Sequence, residues 1–397
     1  MLCTPIIGDK MGKGVIIIGE GSSNSLGVHR ALDLVKIPNV IVTSNKNGID
    51  LHTKNTKKYI FPNPYHQPKE YIEKLLALGD EYRDYTLIPT SDSTVEILSK
   101  NKKRLEKTYR LTVPDWKVLQ YCVIKDKTFQ VAEKLNIPYP RTHKLHDISI
   151  LEDISKEIKY PCIIKGSTKK EREYIPGKVL EIKNKNELIK FGEYVLSRNI
   201  HPIVQEKIIG PPSNLIALGS IIDYDYEPSA LFVVKKIRQI PYMFGVGTLT
   251  ESTWDSTVVR QGLDFLREIK YTGISHIEFK YDPQDGKYKL IEINPRSWLH
   301  ILLTPYCGLN FPQILYRVAN GEKVKPMSYR HGIKWHALSS DFVVLLMNVK
   351  LKNSFFSFRD YLTSFRGKRV FAVLSGEDPG PMIQDIKNYL LDFVKKS

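Results

Sequence analysis

The chain has 397 residues, 42% of them hydrophobic and 26% charged, an ordinary globular composition with enough length to bury a core in two or three domains. Its formal net charge of +16 comes from lysines spread along the whole chain, with no zinc pattern, RNP motif or dense Lys/Arg block, so no nucleic-acid partner is expected; the charge reads either as lysine-rich usage or as attraction for anionic substrates such as nucleotides, or for a membrane surface. Cysteines at 3, 122, 162 and 307 lack metal spacing and read as thiols in a reducing compartment, and neither a signal peptide nor an apolar run near the roughly 20 residues of a membrane span is found, so the expectation is a cytoplasmic protein with no transmembrane segment.

Val15–Gly19 is a short apolar strand, ended by the loop Glu20–Asn24. A helix fits Ser25–Lys36, with Leu26, His29, Leu32 and Val35 on one face, and Val40–Thr43 is the next strand. This strand–helix–strand start is Rossmann-like, but the loop lacks dinucleotide spacing, so NAD is not expected. Pro68–Leu78 reads as a helix and Tyr85–Pro89 as a strand, with Thr90–Ser93 at its C-terminal end, where open α/β sheets bind ligands. Asp92 reads as the cap of a helix over Thr94–Lys103 or, with Ser91, as a substrate contact; both readings stay open.

Lys125–Leu135 is helical and ends at Asn136-Ile137-Pro138, where Asn suits left-handed geometry. Taken alone, Lys125 is a solvated lysine at a helix start. Tyr160–Lys165 is an apolar strand that ends in a lysine, a charge that needs a partner, and a triphosphate suits it. The loop Gly166–Lys178 is highly charged, with glycine only at 166 and 177. A helix over Asn186–Arg198, a strand over Ile203–Ile208 and the turn Gly210-Pro211-Pro212 follow. Leu215–Ile222 and Ala230–Val234 read as paired strands, and alternation places Lys236 and Arg238 on one face. Ser256–Ile269 is helical.

The richest stretch is Gly273–His300. Ile277–Tyr281 and Tyr288–Ile293 read as strands joined at Asp285-Gly286. Glu292 and Asn294 stand at i and i+2 and project together, and a hairpin brings Glu278 beside them. Two carboxylates and one amide carbonyl, next to Arg296, form an oxygen-only set that suits Mg²⁺ carrying substrate phosphates. Mn²⁺ is an alternative metal.

This stretch resembles the metal-binding core of ATP-grasp enzymes, and more specifically the carboxylate–amine ligase branch that includes D-aspartate ligase, where Glu-Ile-Asn-Pro-Arg is followed by an aromatic, here Trp298. The resemblance runs from about residue 15 to 325. It implies an α/β chain with a Rossmann-like domain over 1–120, a two-lobed ATP-grasp domain over 121–330 (lobes about 121–200 and 201–330), and a helical or mixed extension over 331–397. It implies ATP held by Lys125, Lys165 and Lys178, with Lys169, Lys170 and Arg172 as further candidates in the charged lid. It also implies a hinge at Gln205, Glu206, Lys207 and Ile208 whose backbone reads adenine, with Asn214 near the ribose. Mg²⁺ would sit on Glu278, Glu292 and Asn294. Arg296 and Arg238 would contact the carboxylate or acyl phosphate, Arg238 being otherwise a surface arginine. Ser91 and Asp92 are the candidate substrate contacts.

The implied reaction joins a carboxylate to an amine through an acyl phosphate, releasing ADP and phosphate, with an amino acid as the first candidate substrate. Carboxylase or carbamoyl-phosphate chemistry, or a non-catalytic nucleotide-binding protein, are the alternatives. The partners are small-molecule substrates and, by default, a second copy of the chain. Phe311–Ala319 is a helix ended by Asn320-Gly321. Beyond it, Phe342–Met347 is apolar, and Phe355, Phe358, Tyr361, Leu362 and Phe365 recur at helical spacing; this is a helix packed on the body or a basic amphipathic surface that touches membrane or a partner.

Overall fold

Three sheets organise residues 13–166, 171, 173–241, 244–350 and 356–394, which a computed structural model describes. The first holds β1 (Val15–Gly19), β2 (Asn39–Thr43), β3 (Lys57–Ile60), β4 (Thr86–Pro89) and β5 (Arg110–Leu111), in the order β3-β2-β1-β4-β5 with every neighbour parallel. The run Val-Ile-Ile-Ile explains why β1 is central. Val15 and Ile17 enter one core and Ile16 and Ile18 another, so both faces are covered, as a parallel sheet requires.

The second sheet holds β6 (Thr142–Lys144), β7 (Cys162–Lys165), β8 (Val179–Ile182) and β9 (Ile203–Glu206), ordered β6-β9-β7-β8 and antiparallel throughout. Helices Ile148–Glu157 and Lys185–Leu196 pack Leu151, Ile154, Leu188 and Val195 against Cys162, Ile164, Ile182 and Val204 on one face. Strand alternation leaves Ile163, Lys165 and Gln205 for the other face.

The third sheet holds β10 (Leu215–Ile222), β11 (Pro228–Ile240), β12 (Val246–Thr253), β13 (Gly273–Asp282), β14 (Lys287–Asn294), β15 (Lys334–His336) and β16 (Arg369–Phe371), ordered β14-β13-β10-β11-β12-β15-β16. Gly286 takes a φ of 69° in the β13–β14 turn, the left-handed geometry that glycine adopts freely. The sheet carries two cores. Leu218, Val233, Ile277, Phe279 and Leu290 pack with the helix Ser256–Glu268. Ala217, Phe232, Val234 and Ile274 pack on the opposite face with Trp298 and the helix Phe311–Ala319, and join the first sheet's helix Ser23–Asp33.

Two expectations are corrected. Ser91, not Asp92, caps the helix Asp92–Lys100, through a capping box with Thr94; the shorter serine accepts the Thr94 N–H while Asp92 sits in the first turn. Lys236 and Arg238 do not continue a shared face, because the β11–β12 register shifts between them: Lys236 pairs with Thr250 but Arg238 with Leu249. Arg238 instead forms a buried bidentate pair with Asp341 at 2.8 and 2.6 Å, and Thr248 and His336 hold the same carboxylate at 2.8 and 2.7 Å. Phe356 and Tyr361 flank the guanidinium.

That pair fastens the segment after residue 330. β15 and β16 extend the third sheet, and the helix Leu338–Lys350 carries Asp341. A final helix, Gly380–Val394, returns to the first domain, where Asp378 takes hydrogen bonds from Thr53, the Lys54 N–H and Arg30. Ser354 and Phe355 lie outside the described residues.

Burial pushes the Asp341 carboxyl up, but His336 and Arg238 outweigh it and hold the group at about 2. A carboxyl depressed in the folded state stabilises the fold above its unfolded value near 3.8, and that stability drains as pH falls toward 2. Asp341→Ala is therefore expected to cost about 3–5 kcal/mol at pH 7 in urea unfolding, and less near pH 2, because it strands a buried arginine.

Candidate active site

Glu278 and Glu292 are direct cross-strand partners on β13 and β14, and His276 faces Asn294 two pairs along. Their face of β13 changes character along its length. Ile274 is core, His276 stacks on Trp298 at 5.0 Å, and Glu278 and then Lys280 follow at the charged end. Gly219 on β10 makes room for this packing: a β-carbon there would lie 2.4 Å from the Trp298 ring.

Two like charges at this spacing repel, and cations surround them. Lys125, the first residue of the helix Lys125–Lys134, brings Nζ to 3.7 Å from Glu292 and 3.5 Å from the Ile291 carbonyl. Lys236 reaches to 3.8 Å from Glu278 and donates to the Gly245 carbonyl at 3.2 Å. Asn294 donates through Nδ2 to Glu292 at 3.1 Å and accepts through Oδ1 from Arg296, also at 3.1 Å. Arg296 in turn donates from Nε to Asp92 at 2.7 Å, which ties the hairpin to the loop after β4. Ser93 of that loop donates to Glu20, after β1.

The environment separates the two carboxylates. Burial pushes both up. At Glu292, Lys125, the Asn294 amide, Lys165 and Arg296 win and hold the group at about 2. At Glu278 burial prevails over Lys236, and the group is raised. His276 is held down at about 3, by burial first and then by Arg296 and Lys236, so it is neutral.

Lys165 donates to Gln205 Oε1 at 2.8 Å, and Gln205 donates to Thr142 at 2.6 Å, so both predicted residues lie on the face of the second sheet that its helices leave open. Glu206 accepts from Lys289 at 3.3 Å and from the Arg141 N–H at 3.2 Å. Lys207 pairs with Glu181, and the Ile208 carbonyl accepts from Lys280 at 2.8 Å. Asn214 is half-buried and donates to the Tyr281 carbonyl at 3.2 Å. Lys169, Lys170 and Arg172 lie outside the described residues, as does the side chain of Lys178.

The site thus gathers Asp92, Lys125, Glu278, Glu292, Asn294 and Arg296 in direct contact. Ser91 faces its own helix, and Arg238 faces Asp341. Reading the sequence missed three cations. Lys280 stands two residues beyond Glu278, an alternation that could have found it. Lys236 was placed on the strand face but given no role. Lys289 bridges Glu206 and Asp282, a contact between the second and third sheets with no local signal.

Among the described residues no three His, Cys, Asp or Glu side chains group as a metal site. The donor set is two carboxylates with an amide beside them. Hard oxygens in that small number fit Mg²⁺, which keeps part of its water shell and takes the rest of its ligands from substrate phosphates.

Residues 246–327 match the family model of the carbamoyl-phosphate synthase L chain, ATP binding domain. The chain is 24% identical over 261 residues to a D-aspartate ligase of Enterococcus faecium (strain Aus0004), and the match spans 62% of each protein's length. Its structure is similar to N5-carboxyaminoimidazole synthetase from Staphylococcus aureus, with TM-score 0.63, 14% identity and 87% of each chain covered. It is also similar to the biotin carboxylase domain dimer of Hydrogenobacter thermophilus 2-oxoglutarate carboxylase in complex with MgADP, ADP and bicarbonate, with TM-score 0.62, 17% identity, and 82% and 73% covered. The fold is the ATP-grasp fold.

Gly219→Ala drives a methyl into the Trp298 ring beneath the carboxylate pair. It is expected to lower stability by about 1–3 kcal/mol in urea unfolding and to change the tryptophan near-UV circular dichroism.

Proposed function

We propose that this ATP-grasp chain, similar in sequence to D-aspartate ligase, is an ATP-dependent ligase that joins a small carboxylate, an amino acid first among candidates, to an amine. The observation that carries the reading is the directly paired Glu278 and Glu292, ringed by Lys125, Lys236 and Arg296 and under the charge of Lys165.

Four anionic groups have to meet for this reaction: three phosphates and a carboxylate. Lys125, on a helix packed against the third sheet, and Lys165, on the second sheet, offset phosphate charge from different sides and so act on different oxygens. Glu278 and Glu292 would hold Mg²⁺, which supplies charge neutralisation at the transferring phosphoryl group. Arg296 donates to Asp92, to Asn294 and to the Ser297 carbonyl, and its remaining N–H donors would contact a carboxylate or acyl phosphate. A carboxylate oxygen attacks the γ-phosphorus and ADP leaves. The amine then attacks the acyl carbon and phosphate leaves. Lys236 beside Glu278 adds positive charge where the acyl phosphate forms. In the hinge, Lys280 fixes the Ile208 carbonyl, so the backbone edge that would read adenine is held in place. No covalent enzyme nucleophile is needed.

The match of residues 246–327 to a carbamoyl-phosphate synthase domain favours a second reading, in which bicarbonate is the carboxylate that is phosphorylated.

The test is ADP and phosphate release from Mg²⁺-ATP with pooled carboxylates and amines. The expectation is release that requires both pools, with at least about a hundredfold loss in Glu292→Ala at unchanged thermal stability, the scale of removing charge stabilisation from a phosphoryl-transfer site. Release with bicarbonate alone would move the assignment to the second reading. Full activity in Glu292→Ala would refute the metal assignment.

A further inference from the structure

The helices after residue 337 hold large apolar side chains in solvent. Phe342 and Leu346 on Leu338–Lys350, Phe358 and Leu362 on Phe358–Thr363, and Ile386 and Leu390 on Gly380–Val394 are all exposed, Phe358 at 64% and Leu390 at 61%. Each pair is spaced i,i+4, so each helix shows one apolar face outward.

These helices are firmly docked by their other faces. Asp341 is locked to Arg238, Tyr361 lies over the same guanidinium, and Met382 packs on the main core. They also adjoin one another: Asn348 donates to the Phe356 carbonyl at 3.1 Å, and Ser339 Oγ lies 4.0 Å from Met382 Sδ. The outward apolar faces therefore belong to an ordered surface. Leaving such side chains in water is unfavourable, and a cluster of exposed apolar side chains marks an interaction site.

The charges around the face select the occupant. Arg359, Arg366, Lys368 and Lys387 are exposed there. Of the nearby acids, Asp360 is engaged in the Ser357 capping box, Asp378 is bound by Arg30, Thr53 and Lys54, and Asp385 is half-buried beside Ser339, which leaves exposed Glu377 against the four cations. A second copy would bring the same cationic rim against this one, between chains that each carry +16. An anionic lipid surface offers both an apolar layer and negative headgroups. No helix among the described residues is long and apolar enough to cross a membrane, so the contact lies in the plane of the surface.

We propose that the outer face of the C-terminal helices docks the protein on an anionic lipid surface, with the six apolar side chains at the headgroup–acyl boundary and the four cations on the lipid phosphates. This stands independently of the ligase reading.

The test is co-sedimentation of the full chain with phosphatidylcholine vesicles, with and without phosphatidylglycerol, at low and high salt. Binding is expected to be at least about tenfold tighter on the anionic vesicles, to weaken in high salt, and to fall at least about tenfold in Leu346→Glu/Leu390→Glu with thermal stability retained. Equal affinity for both vesicles, or full binding by the double variant, would overturn the proposal. So would a dimer in sedimentation velocity that the same two substitutions dissolve without any vesicle binding by the parent chain.

Discussion

Holding Glu278 and Glu292 side by side is the constraint on which the rest of the structure depends. Directly opposed like charges destabilise a hairpin, and here one of them is also half-buried in a sheet. The chain answers with cations drawn from distant parts of the sequence. Lys125 comes from a helix start, Lys236 from β11 and Arg296 from the turn after β14, and Lys165 acts from the second sheet. The result is a compact, nearly balanced charge cluster that a divalent cation and a polyphosphate can enter without large rearrangement of sign.

The surrounding architecture fixes those donors. One face of the third sheet is core at Ile274 and Phe232 and becomes charged toward Glu278 and Lys280, so the same strand that anchors the fold delivers the site. The Arg296–Asp92 pair joins this hairpin to the first domain. Lys289 and Lys280 join it to the second sheet, through Glu206 and the Ile208 carbonyl. The bulge after Lys236 then separates two tasks on one strand: Lys236 serves the carboxylate pair, and Arg238 pins the C-terminal segment through Asp341.

Much of this is legible in the sequence because it is local. Helices at Pro68–Leu78 and Phe311–Ala319 follow from apolar periodicity and their Pro and Gly punctuation, and strand Leu215–Ile222 from a mostly apolar run. Glu292 and Asn294 are legible as an i,i+2 pair after a tight turn at Gly286, but their meeting with Glu278 also needs a bulge in β14: the register runs from the turn to Phe279–Leu290 and then shifts, so that Glu278 pairs with Glu292 and not Ile291. Three further features escape local reading. The cap at Ser91 rather than Asp92 depends on which side chain reaches the Thr94 N–H. The fate of Arg238 depends on a one-residue bulge and on an aspartate about a hundred residues away. The fit of the last helix on the first domain depends on Asp378, whose partners Arg30 and Thr53 lie at the far end of the chain.

The central chemical claim is that a carboxylate oxygen becomes a phosphate oxygen. The most direct measurement supplies the accepted carboxylate labelled with ¹⁸O in both oxygens, with amine and Mg²⁺-ATP, and reads the released phosphate by mass spectrometry. Acyl-phosphate chemistry predicts that each phosphate carries one ¹⁸O atom taken from the carboxylate. Unlabelled phosphate, or release of pyrophosphate and AMP in its place, would contradict the account.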